Sequence, residues 1–439
     1  MSTLPATASR AAPGAISPFR GRSGIGAVID RACRRMVLGL LRRTRGGELQ
    51  IVEAAGRFEF GERSSEHSPL AVLHVRSVRF YRSLLRGSVG MCEAYLDGLW
   101  DCEDLVALTR IAALNVRALD TLRRLLAPLL IPVQRWASWR ARNTPGRSRA
   151  RVAAHYDLGN ELFSLFLDPT MMYSCAVFDS PEATLEEASL AKLERVCAKL
   201  DLQPRDHLLE IGTGWGGLAV YAAERYGCRV TTTTISREQH DYALQRVREA
   251  GLSDRVSVLL EDYRALEGRY DKLVSVEMIE AVGWQYFPTF FRRCSELLAD
   301  DGAMLLQAIV IDDRAYQVEK AGKSFINTYI FPGGCLPSMQ IISRTVERVT
   351  DFRQVHLEDI TAHYATTLER WRERFLDAAD RLSELGYDER FRRLWELYLS
   401  YCEGGFRERR IRDVQLLLAK PRFPPAGPDR VCMDAANAV

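Results

Sequence analysis

A doubly wound α/β fold with a mostly parallel sheet and a smaller N-terminal accessory domain is what this sequence predicts, and three observations predict it. Between about residues 153 and 420, apolar runs of strand length alternate with amphipathic runs of helix length, as in a parallel sheet covered on both faces. A glycine-rich turn, Gly212-Thr213-Gly214-Trp215-Gly216-Gly217, joins the run Leu208–Ile211 to a helical stretch. That is how such folds bring a nucleotide-like ligand to a helix N-terminus. The first third is patterned differently, with short alternating runs behind a basic helix.

The chain has 439 residues, enough for two domains and a sizeable core. Its net charge of +3 supplies no overall field for nucleic acid, so no nucleic-acid partner is expected. The ten cysteines contain no C-x-x-C pair, which reads as reduced thiols rather than a disulfide or zinc framework and predicts a cytoplasmic protein. No apolar run approaches a membrane span, and no secretory leader is present, so any contact with a bilayer is expected to be peripheral.

In chain order, residues 1–24 are rich in Ser, Ala, Pro, Gly and Arg and read as disordered. Residues 25–145 read as the accessory domain. It opens with a helix from Ile25 to Arg45 that carries Val28, Ile29, Ala32, Met36, Leu40 and Leu41 on one side and arginines around the rest, a form suited to an anionic membrane surface. Residues 48–82 alternate as a small β or α+β unit, and helical stretches follow at Phe80–Leu85, Met91–Leu96 and Leu105–Leu114. From Thr121 to Arg151 eight arginines and no acid interleave with leucines, Trp136 and Trp139, which suits an interface with phosphates above and acyl chains below. Pro145-Gly146 marks the linker to the main domain, 146–420, and the Pro-rich tail 421–439 reads as disordered.

Within the main domain the expected strands are Leu208–Ile211, Arg229–Ile235, Val256–Glu261, Lys272–Val276 and Ala303–Ile311. Helices are expected at Gly217–Tyr226, Glu238–Ala250 and Tyr286–Leu298. Gly212, Gly214 and Gly217 satisfy a dinucleotide fingerprint, but the second strand ends Thr231-Thr232-Thr233-Thr234 with no carboxylate for a ribose. Trp215 crowds the turn, and Glu210 just before it would repel a pyrophosphate. A cationic adenosyl ligand such as S-adenosylmethionine fits better. Thr234, Ser236 and Gln239 could hold its ribose, and Asp262 and Tyr263 its adenine.

Further stretches narrow the reading: His155-Tyr156-Asp157-Leu158-Gly159-Asn160, Met172-Tyr173-Ser174-Cys175-Ala176, Thr234-Ile235-Ser236-Arg237-Glu238-Gln239, Glu261-Asp262-Tyr263-Arg264, Val276-Glu277-Met278-Ile279-Glu280-Ala281-Val282-Gly283, Tyr329-Ile330-Phe331-Pro332-Gly333-Gly334 and Tyr401-Cys402-Glu403-Gly404-Gly405-Phe406-Arg407. In this order, over roughly residues 75–420, they resemble the cyclopropane fatty acid synthase family and its mycolic acid relatives. The resemblance implies a Rossmann-like class I S-adenosylmethionine-dependent methyltransferase fold. It also implies a reaction that adds a methyl-derived carbon to the cis double bond of unsaturated phospholipid acyl chains. Cofactor contacts are implied at Tyr173, Ser174, Gly212, Thr213, Gly214, Thr234, Ile235, Ser236, Arg237, Glu238, Gln239, Asp262 and Tyr263.

The same resemblance implies a bicarbonate base held by Cys175, Glu280, the Ile309 backbone and Tyr364. Cys402 matches a cysteine once assigned to the family's chemistry, but the reaction needs no sulfur nucleophile, so a structural or pocket-lining role is expected. Gln307 stands where bicarbonate-binding members have histidine, and Ala281 where they have a second histidine. Gln307 can donate to an anion but cannot titrate near neutral pH. Bicarbonate and ring closure are therefore both open, and a methylene- or methyl-branched product is the alternative. A soluble small-molecule methyltransferase and an inactive lipid-binding protein are the rival readings. The expected setting is the inner face of the membrane, with a homodimer left open.

Overall fold

The computed structural model describes residues 25–116, 158–320 and 322–424. The arginine-tryptophan segment 121–151, the linker at Pro145-Gly146, the leader 1–24 and residues 425–439 of the tail lie outside the described residues. The chain divides into two compact units, residues 1–111 and 112–439.

In the first unit, strands β1 (Gly47–Glu53), β2 (Gly56–Glu62), β3 (Leu70–Val75) and β4 (Trp100–Cys102) form a sheet in the order β2-β1-β3-β4. Alternation along β1 and β3 turns Leu49, Ile51, Ala71, Leu73 and Val75 inward. The first helix, Ile25–Leu41, buries Asp30 and Cys33, and Arg34 pairs with the buried Glu53. Its apolar stripe faces away from this packing: Val28, Met36 and Leu40 are 59%, 47% and 52% exposed.

The second unit carries seven strands in the order β10-β11-β9-β8-β5-β6-β7. These are β5 (His207–Ile211), β6 (Arg229–Thr234), β7 (Val256–Leu260), β8 (Tyr270–Val276), β9 (Leu298–Ile311), β10 (Arg353–Asp359) and β11 (Ile411–Ala419). β7 to β9 in that row are parallel, and the β9–β11–β10 edge is antiparallel. The order reverses between β5 and β8, which makes the gap at their carboxyl ends the ligand position of a doubly wound sheet.

Period-two side chains split the core into two layers. Leu209, Ile211, Leu306 and Leu416 pack on one face with Phe290 and Phe291, while Leu208, Val230, Leu305 and Leu417 pack on the other with Leu193, Val196 and Leu218. The helices fall close to expectation, at Gly217–Tyr226, Arg237–Glu249 and Phe287–Leu297. The antiparallel pair β10–β11 is an addition to the five expected strands. β10 is an edge strand with mostly solvent-facing side chains, while β11 buries Asp413 and Gln415 fully and follows them with the buried run Leu416–Ala419.

Candidate active site

The cleft lies at the β5–β8 switch. Gly212 and Gly214 take φ of +107° and +53°, left-handed values that allow the chain to turn sharply out of β5. The N–H groups of Gly212 and Thr213 both donate to the Thr233 carbonyl at 3.0 Å, which locks the turn to β6. Thr234 Oγ1 donates to Gln239 Oε1 at 2.8 Å, tying the β6 tip to the following helix. Trp215 is buried, and its Nε1 donates to Asn160 Oδ1 at 2.7 Å.

Tyr173, Ser174, Gly212, Thr213, Gly214, Thr234, Ile235, Gln239, Asp262 and Tyr263 all line this cleft. Ser236, Arg237 and Glu238 do not line it. Ser236 is the N-cap of the Arg237–Glu249 helix, accepting from the Gln239 N–H, and the first-turn side chains Arg237 and Glu238 project into solvent. Asp262 is held by Arg264 through a bidentate pair at 2.7 and 2.6 Å, and Arg264 lies over the Tyr263 and Tyr286 rings.

The acidic side chains lining the cleft are Glu261, Asp262 and Glu277, with Glu210 held protonated by burial, against Arg264, which is already paired. That excess of carboxylate suits a sulfonium and an α-ammonium, so S-adenosylmethionine fits the residues present. When bound there, it supplies an electrophilic methyl group.

The residues expected to carry chemistry converge on a side chain to which the sequence reading gave no role, Glu277. The Cys175 N–H and Gln307 Nε2 each donate to Glu277 Oε1 at 2.8 Å, and the Tyr364 hydroxyl donates to Oε2 at 2.5 Å. Gln307 Nε2 also donates to Asp413 Oδ2 at 3.0 Å, and Gln307 Oε1 accepts from Gln415 at 3.0 Å, so β11 props the amide. The Ile309 N–H donates to Glu280 Oε1 at 2.6 Å, while Glu280 Oε2 is buried with no partner among the described residues. Glu280 does not line the cofactor cleft. Beneath the cluster, fully buried Lys192 donates to Ser174 Oγ at 2.9 Å.

The two cysteines stay outside the chemistry. Burial pushes the Cys175 thiol well above its usual range, and Sγ donates to the Ala176 carbonyl at 3.2 Å. Cys402 is pushed up to about 12 by burial and lies outside the Glu277 network. Neither is a thiolate near neutral pH. Aromatic rings wall the region: Tyr173 sits 5.3 Å from Trp371 and 6.4 Å from Phe331, and Tyr364 stacks on Phe406 at 4.3 Å.

Burial drives Glu210 up to about 8 against the opposing Thr232 hydrogen bond, and drives Glu280 up to about 8 with help from the charge of Glu277. Both carboxyls hold protons in the fold that the unfolded chain gives up near pH 4.5. The folded state therefore binds more protons between about pH 4.5 and 8, and stability declines as pH rises through that window. Urea midpoints measured from pH 5 to 8 on the ligand-free protein should fall steadily; a rising midpoint would contradict the assignment.

Glu277, Asp413 and Lys192 were missed by sequence reasoning. A carboxylate immediately after the strand at the switch point was a usable signal for Glu277. Asp413 and Lys192 carry no local signal, since only the folded sheet brings them beneath the site.

Residues 144–416 match the family described as mycolic acid cyclopropane synthetase. The tuberculostearic acid methyltransferase UfaA1 of Mycobacterium tuberculosis is 41% identical over 350 residues, covering 77% of this chain and 80% of that protein. The cyclopropane-fatty-acyl-phospholipid synthase of Escherichia coli is 39% identical, covering 79% of this chain and 86% of its own length. The structure of mycolic acid cyclopropane synthase CmaA1 complexed with SAH and CTAB superposes with a TM-score of 0.58 at 33% identity, covering 62% of this chain and 98% of that one. On these grounds the chain belongs to the mycolic acid cyclopropane synthetase family and is an S-adenosylmethionine-dependent methyltransferase that modifies unsaturated lipids.

Proposed function

We propose that the enzyme transfers a methyl-derived carbon from S-adenosylmethionine to the cis double bond of an unsaturated fatty acyl chain carried by a membrane phospholipid. The observation that carries this reading is the joining of an acidic cofactor cleft to Glu277 within aromatic walls. An alkene is a weak nucleophile, so the chain must be aligned with the methyl group and kept from water. Attack leaves a carbocation on the neighbouring carbon. Ring faces such as Tyr173 and Trp371 offer it their negative quadrupole, and carboxylates offer it charge.

A second reading of the product, a methylene- or methyl-branched chain, is supported by Gln307 and by the name of the 41% identical relative. Expression in a host without such activity, followed by mass spectrometry of the acyl chains before and after mild hydrogenation, tests both. A chain heavier by one CH2 that resists reduction is a ring, and one that accepts hydrogen is a branched alkene. Acyl chains of unchanged mass would remove the proposal.

Docking from the cytoplasmic side onto an anionic membrane surface belongs to the same proposal. It is supported by the exposed stripe Val28, Ile29, Met36 and Leu40 on the first helix, with exposed Arg31, Arg35, Arg42 and Arg43 beside it. Among the described residues no helix is long and apolar enough to cross a membrane. Sedimentation with phosphatidylglycerol vesicles should carry the protein down, and adding salt should release it. Failure to sediment at low salt would remove the docking element.

A further inference from the structure

We infer that the Glu277 carboxylate fills the position where a bicarbonate base is expected, and that Glu277 itself takes the proton that completes the reaction. This rests on the acyl-chain reading above and specifies its base.

The expected bicarbonate donors are already engaged. Of the groups assigned to that anion, the Cys175 N–H, Gln307 amide and Tyr364 hydroxyl all donate to Glu277, and the Ile309 N–H donates to Glu280. An added anion at this place would meet the carboxyl groups of Glu277, Glu280 and Asp413, while Lys192 is already bonded to Ser174. Bicarbonate therefore does not fit the residues present.

The backbone is built for the substitution. Glu277 takes φ +47°, a left-handed value uncommon for a residue with a side chain, and its N–H donates to the Gln307 carbonyl at 2.9 Å. Strain of this kind persists where the surroundings over-determine it. Here it belongs to the residue whose carboxylate collects three hydrogen bonds. Of Glu277, Glu280 and Asp413, only Glu277 lines the cleft. Burial raises both carboxyls, Asp413 well above its usual range with help from the charge of Glu277, while the donors Tyr364, Cys175 and Gln307 oppose the rise at Glu277.

The step balances without a further reagent. The alkene π pair forms the bond to the incoming methyl, and the methyl–sulfur pair leaves with sulfur as a neutral thioether. The adjacent carbon is then cationic. Glu277 takes a proton from the alkylated chain, and the freed C–H pair closes either a third ring bond or, after a hydride shift, a new C=C bond. Carboxylate and sulfonium enter; carboxylic acid and thioether leave. Glu277 returns its proton to solvent as products depart.

The test uses the full-length enzyme with oleoyl phosphatidylglycerol vesicles and methyl-labelled S-adenosylmethionine. In carbon-dioxide-free buffer the wild type should turn over at the same rate with and without added bicarbonate. Glu277→Gln should lose at least about 100-fold in kcat, a far larger effect than any change in its S-adenosylmethionine Kd. Glu277→Gly, which frees the Cys175, Gln307 and Tyr364 donors, should be inactive without anion and regain activity with bicarbonate or formate. Wild-type turnover that depends on bicarbonate, a Gln variant with near-normal kcat, or a Gly variant that binds cofactor yet responds to neither anion would overturn the inference. A wild type that labels no lipid would instead overturn the acyl-chain reading.

Discussion

Tyr364→Phe should lower kcat by about 10- to 150-fold while leaving the lipid KM and the S-adenosylmethionine Kd unchanged. The hydroxyl removed is the donor to Glu277 Oε2 at 2.5 Å. Burial and the charge of Glu277 hold the Tyr364 phenol well above its usual range, so it remains a donor across any working pH. Without it, a carboxylate loses one of its three donors in a setting where water cannot replace it, a loss of about 1.5–3 kcal/mol for a bond to a charged group. The carboxylate would also be free to rotate away from the reacting carbon. Phe keeps the ring that stacks on Phe406, so the fold is retained and the effect is confined to turnover. Steady-state kinetics on vesicles decide the matter: a kcat near wild type would show that Glu277 needs no help from Tyr364, and a raised lipid KM would make Tyr364 a binding residue instead.

Lys192→Met should destabilise the fold by about 3–5 kcal/mol, the usual cost of removing one partner from a buried charge group. Lys192 is wholly buried, its charge acts on Glu210, Glu277 and Cys175, and desolvation lowers its own pKa. Met preserves the volume of the stem, so packing is a minor part of the loss. What goes is the positive charge that makes several buried carboxyls tolerable together, and the damage should grow as pH rises and those carboxyls ionise. At pH 8 the melting temperature should drop by about 10 °C, with a smaller drop at pH 5. A variant that melts with the wild type at both pH values would mean that the carboxyls are neutral in the fold and need no counter-charge.

The cofactor half of the site was legible because it is local. Gly212 and Gly214 announce a turn, the four threonines of β6 announce a missing acid, and Asp262-Tyr263 follow a strand within a few residues of each other. Along residues 234–239, neighbours at a helix start point in different directions: Gln239 lines the cleft, Ser236 caps the helix, and Arg237 and Glu238 meet solvent. The chemical half was less legible because it is assembled from four places along the chain. Glu277 stood in a motif that was quoted, yet its role depends on Cys175, Gln307 and Tyr364 arriving around it. Lys192 looks like an ordinary helix-surface lysine until the Leu185–Leu200 helix is laid on the sheet. Asp413 and Gln415 put polar side chains into the interior strand β11, and the site uses that polarity to hold Gln307.

The position of β11 fixes when this enzyme becomes one during synthesis. Among the described residues it is the last strand in chain order, yet it lies between β9 and β10 and carries the two side chains that hold Gln307. The glycine turn, the β6 tip and Glu277 have all left the ribosome well over a hundred residues earlier. A nascent chain thus has the residues of the cofactor cleft in hand while Gln307 still lacks the support beneath it, and that support arrives only when β11 slots into the sheet.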